Sequence, residues 1–164
     1  MTSSEVVRPE PREVVSGSGP RERRSRPLRV LASPWRYLVG TAAVVAAAAR
    51  VARREARLGF VELVEDLRER RPLPGVAADP ALLAGIVRIL LPVLPPWRTG
   101  ACYRRSLLLL HLWSSCGLRP TLHLGIRSLP EGGKEGHAWV TDPSLPEGLG
   151  GRGGDQLVEL ERFG

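Results

Sequence analysis

The chain has 164 residues, 43% of them hydrophobic, with two Cys and a formal charge of +7. That length allows one domain with its own core plus a tail. Two Cys exclude a disulfide framework, and the longest uncharged apolar stretch falls short of the ~20 residues a bilayer-spanning helix needs.

The charge is lopsided: residues 1–57 hold 12 Arg and 5 Glu, whereas residues 58–164 hold 12 basic and 12 acidic side chains. Residues 1–33 are rich in Arg, Glu, Pro, Ser and Gly. With little to bury, they read as a disordered basic tail ahead of a single domain over 34–164. They contain no apolar h-region, so no secretory signal is expected. The run from Arg21 to Arg29 suits contact with nucleic acid, an anionic membrane or an acidic peptide. Without interleaved aromatic residues, a solvated tail is the preferred reading and nucleic-acid binding is not expected.

Pro34 and Trp35 start a helix that is Ala- and Val-rich and uncharged from Tyr37 to Ala49. The flanking Arg36 and Arg50 would suit peripheral membrane contact. A helix packed against the domain is the plainer expectation. A helix continues or restarts from Arg57 to Arg70, with Phe60, Leu63, Val64 and Leu67 forming an apolar stripe. RPLPG, residues 71–75, ends it. Asp79 reads as an N-cap and Pro80 as the first helical residue of a short apolar helix from Ala81 to about Leu91, closed by Pro92, Pro95 and Pro96.

The next helix, Cys102 to Ser115, is apolar on most sides, as a central helix must be; Gly117 stops it. Thr121–Arg127 alternates Leu122, Leu124 and Ile126 with more polar residues and predicts a strand. Residues 128–136 form a loop, His137–Thr141 a second strand, 142–154 a long flexible turn, and Asp155–Phe163 a third strand. Helices followed by an antiparallel meander make an α+β fold.

Cys102 and His137 carry the chemistry. In general, a helix N-terminus and a neighbouring imidazolium both favour the thiolate form of a cysteine. Taken singly, Cys102 is a buried structural thiol and His137 an ordinary strand histidine. Together, with Gly100 before the Cys and the string GHAWV around the His, they match the way papain-like and transglutaminase-like folds build a nucleophile–base pair. Cys116 lies at the far end of the same helix, about 21 Å from Cys102 at helical rise, so no bridge forms. Two free thiols point to a reducing, cytoplasmic compartment. His111 is half a turn round the helix from Cys102 and reads as packed or half-exposed, and His123, in the strand next to that of His137, also has a bland reading, with a place bordering the site as its alternative. These residues lack zinc-site spacing, and no metal or other cofactor is implied. Trp113 and Trp139 read as core.

From Gly100 on, the chain resembles the leader peptidases of lasso-peptide biosynthesis, small transglutaminase-like cysteine proteases. CYRRSLLLL supplies Cys102, Tyr103, Arg105, Ser106, Leu107 and Leu109, with Leu108 where that family has Ala. Gly117–Leu118, then Gly125, Ile126 and Arg127, then His137–Val140 follow in the family's order. The resemblance covers about residues 80–145. It implies cleavage between leader and core of a ribosomally made precursor peptide, and an ATP-dependent, asparagine-synthetase-like cyclase acting next. The family's fused leader-recognition domain has no counterpart in residues 1–33, which implies a stand-alone protease working with a separate leader-recognition protein. The family's Asp, a dozen residues past the His, falls here at Leu149. Asp155 is the first choice for that carboxylate. Glu159 is close behind: pairing Thr141 with Gln156 would set it opposite Ala138, with Glu161 one step on along the same face. Asp142 is the local alternative, though Asp-Pro after a strand is commonly a turn.

Overall fold

Four helices precede three strands in the computed structural model, which describes residues 34–69, 79–94, 100–128, 132–151 and 157–164. These all belong to one unit that begins at Ala32. The basic tail, the RPLPG turn and Asp155 lie outside the described residues.

Helix α1 (Pro34–Glu55) buries Gly40, Ala43, Val44, Ala47, Ala48 and Val51. That spacing is a single stripe of small residues, which lets the helix lie close to its neighbours. The opposite side exposes Trp35, Leu38 and Val45. The chain breaks at residues 56–59 and restarts as α2 (Phe60–Arg68), which turns Leu63, Val64 and Leu67 inward. Helix α3 (Pro80–Leu90) starts as its sequence predicts. The Asp79 carboxylate accepts the Leu82 N–H at 3.0 Å, and Pro80 sits where a missing N–H costs nothing.

Helix α4 (Ala101–Ser115) is buried without interruption from Ser106 to Ser114. The first three helices and two strands all pack on it, so Leu107–Leu110, Leu112 and Trp113 have no polar side to reserve. Each such side chain contributes roughly 1.5–3 kcal/mol on burial. His111, also buried, donates its Nδ1–H to the Leu67 carbonyl at 3.3 Å and ties α4 to α2. Gly117, at φ +85°, ends the helix in a conformation that a side chain would strain.

The strands are β1 (Thr121–Ser128), β2 (Lys134–Thr141) and β3 (Leu157–Phe163), antiparallel in the order β2-β1-β3. Two expectations are corrected here. Strand β2 begins at Lys134 rather than His137, because Lys134, Glu135 and Gly136 continue the hairpin register with Ser128, Arg127 and Ile126. The sheet is not a meander, for β3 pairs with β1. Past β2 the chain stays close to that strand as far as Gly151, where a Cβ would stand 3.1 Å from the Cβ of Trp139. The outer edge of β2 is met near its end by a bond from the Val140 N–H to the Gly150 carbonyl at 3.3 Å.

Alternation gives the sheet two unlike faces. Leu122, Ala138 and Val140 are buried on the face toward α4. Phe163 joins them, its ring edge-on to Phe60 at 5.2 Å. The other face carries Thr121, His123 and Gly125 opposite Thr141, Trp139 and His137.

Candidate active site

Cys102 is the second residue of α4, one place after the N-terminal Ala101, with Gly100 as N-cap. The first intrahelical bond runs from Arg104 N–H to the Gly100 carbonyl at 3.1 Å, and no side chain caps this end. The N–H groups of the first turn, that of Cys102 among them, therefore have no intrahelical acceptor and favour negative charge beside them.

The Cys102 thiol meets β2. Its Sγ lies 3.9 Å from the carbonyl oxygen of Gly136, the residue before His137. Gly136 has the same parity as Val140, whose N–H turns away from β1 to reach Gly150, so the sulfur approaches the outer side of the strand. His137 is half-buried. Its ring stacks on the indole of Trp139, centroids 6.0 Å apart and planes 26° apart.

The sequence-predicted carboxylates fall in other places. Glu159 is not opposite Ala138. It pairs in register with Gly125, and its Oε1 accepts from His123 Nδ1 at 2.9 Å. Arg162 grips both of its oxygens, at 3.0 and 3.2 Å. The Arg162 guanidinium first, and His123 second, hold this carboxyl down to about 2. Glu161 does not share that face: a bulge at Leu160 separates the two, and Glu161 stands opposite Leu124. Asp142 is spent on the turn. It accepts from the Arg119 N–H at 3.1 Å and from the amide and hydroxyl of Ser144. Burial would raise its carboxyl, but these bonds outweigh burial and lower it.

His123 is more deeply engaged than a bordering residue. It is 7% exposed, its Nε2 lies 2.7 Å from Thr141 Oγ1, and its ring is flat against Trp139, 5.1 Å between centroids and 6° between planes. Sequence reading also passed over Arg105 as an anchor. Its guanidinium donates to the Leu149 carbonyl at 2.9 Å and fastens the 142–151 loop to α4. Burial, then Glu55, pushes the Tyr103 hydroxyl up to about 12. Cys116 is a free thiol raised by burial and then by Asp79, the opposite of what a nucleophile needs. Among the described residues no group of three His, Cys, Asp or Glu side chains is arranged to hold a metal ion.

A buried helix that presents a cysteine at its start to an antiparallel sheet is an α+β arrangement suited to thiol chemistry. The chain belongs to the transglutaminase-like superfamily, whose family model matches residues 23–151, more than half of the sequence. That superfamily includes cysteine proteases and acyltransferases, and its members are often cysteine-dependent enzymes. The match extends into the basic tail and stops short of β3. No curated protein and no solved structure matches the chain.

Proposed function

We propose that this chain is a cysteine peptidase that removes the leader from a ribosomally made precursor during lasso-peptide maturation. The observation that carries the proposal is the thiol of Cys102 at the uncapped start of α4, against the strand residue adjoining His137. The motif CYRRSLLLL, the Gly-Ile-Arg end of β1 and the HAWV string support the choice of peptide substrate.

In the resting state the thiol points its weak S–H at the Gly136 carbonyl. That carbonyl repels a thiolate, so loss of the proton to His137 releases the sulfur toward substrate. The thiolate adds to the scissile carbonyl, and the Cys102 N–H stands ready for the oxyanion. His137 then protonates the departing amine, and water cleaves the acyl-enzyme. Asp155 is the carboxylate proposed to orient His137, since Glu159 and Asp142 are engaged elsewhere and Glu161 lies opposite Leu124. A separate leader-recognition protein presents the precursor, and the asparagine-synthetase-like cyclase receives the freed core amine.

Incubating precursor, recognition protein and this chain, with mass spectrometry of the products, tests the assignment. Leader and core are expected from the native chain, and intact precursor from Cys102→Ala. Transfer of the acyl group to an added amine would mark an acyltransferase. Rapid cleavage by this chain alone would remove the need for a recognition protein.

One observation favours an added membrane-associated role. Trp35, Leu38 and Val45 are exposed on α1, and Arg50, Arg53 and Arg57 cluster near its end. No helix among the described residues is long and apolar enough to cross a membrane, so the role in view is contact with an anionic surface. Sedimentation with phosphatidylglycerol vesicles, lost on Leu38→Glu, is its test.

A further inference from the structure

We infer that Trp139, clamped by His123, is a positioning residue that sets the plane of the His137 imidazole; this rests on the peptidase reading above. Three flat rings lie in sequence on one face of the sheet, His123 against Trp139 and Trp139 against His137. The far ring is immobilised. Glu159, with its carboxyl held down at about 2, is an anion at neutral pH, so His123 Nδ1 must carry the hydrogen between them. Its Nε2 is engaged by Thr141. With both nitrogens committed, His123 cannot turn without breaking a bond.

The middle ring is boxed in. Gly125 is the cross-strand partner of His137. A Cβ there would stand 3.1 and 3.3 Å from the edge of the Trp139 ring, and 2.7 Å from the Val158 carbonyl. The missing side chain leaves the indole room to lean over β1 beside His137. The indole edge thus occupies the space over Gly125 on the β1 side of His137, and Cys102 lies on the strand's outer side. Among the described residues, the titratable groups near this stack include Cys102 of α4, which meets the neighbouring Gly136, Glu135 two residues earlier on the same face of β2, and, beyond Trp139, His123 with Glu159 and Arg162 of β3.

Alkylation of Cys102 by iodoacetamide, followed between about pH 4 and pH 9 with the two cysteines resolved by peptide mass spectrometry, tests this on the full chain without a substrate. The native protein is expected to show a low-pH plateau of reactivity that His137→Ala abolishes. Trp139→Leu should lower that plateau about tenfold, and Trp139→Phe, which keeps a flat ring, less than about threefold. Glu159→Gln, on an exposed strand, should lower it about threefold by loosening His123. A folded Trp139→Leu variant with the native plateau overturns the inference. If that variant does not fold, an unchanged plateau in Glu159→Gln overturns it. A native profile with no His137-dependent plateau sinks the catalytic reading itself and the positioning role with it, a different signature from a plateau indifferent to Trp139.

Discussion

His123 and His137 stand on one face of the sheet, on adjacent strands, with the same indole between them. His123 is almost fully buried and holds a carboxylate on one nitrogen and a hydroxyl on the other. His137 is half-buried and belongs to the strand segment that the thiol touches. A search for a histidine beside a carboxylate selects the first, whereas the second adjoins Gly136, whose carbonyl the Cys102 thiol meets. A ring whose nitrogens are both spent is suited to holding structure, whereas one at an accessible rim is suited to moving a proton.

That contrast breaks first at the level of rate. His137→Ala should lower precursor cleavage by about 10³-fold or more, with a melting temperature close to that of the native chain. If cleavage persists, His137 is not the base. Next in size is His123→Ala. It removes a buried ring from the face of Trp139 and leaves Thr141 without its partner, and should cost about 2–4 kcal/mol in urea unfolding. A loss below that of His137→Ala would erase the difference between the two rings.

The acid limb of stability comes third. The Glu159 carboxyl lies at about 2 in the fold against an ordinary 4.5. Its contribution is therefore whole above about 4.5 and is lost as pH falls toward about 2. Glu159→Gln should flatten that part of the unfolding curve, as followed by circular dichroism. The smallest effect belongs to Thr141→Val, which keeps shape but deletes the contact to His123 Nε2; about 0.5–1.5 kcal/mol should be lost in denaturant titrations.

Much of this architecture was legible in local pattern. The Asp79–Pro80 start of α3, the i, i+3, i+4, i+7 stripe of α2, the apolar girth of α4 and the alternation in β1 each follow from a rule that acts within one turn or one strand. The misread parts depend on which distant segments meet. A β2–β3 pairing sets Glu159 beside His137, whereas the pairing of β3 with β1, which brings Glu159 to Gly125 and His123, is written in no local run. The bulge at Leu160, which turns Glu159 and Glu161 to opposite faces, leaves a period-2 pattern that reads as unbroken. The start of β2 was missed since Lys134, Glu135 and Gly136 carry no apolar signal; their pairing is dictated by β1. The placement of Cys102 at a helix start and of His137 on a strand was legible from the Gly100 and Gly117 boundaries and from the apolar pattern around each residue.

The bond between Val140 and Gly150 has a wider consequence. It covers the buried end of the β2 edge, while the opposite margin of the sheet, β3, bears Glu159, Glu161 and Arg162 together with a bulge at Leu160. Charged side chains and an irregular backbone are poor templates for another chain's strand. Pairing of another chain along β3 is therefore disfavoured by the same short segment whose glutamate bonds His123.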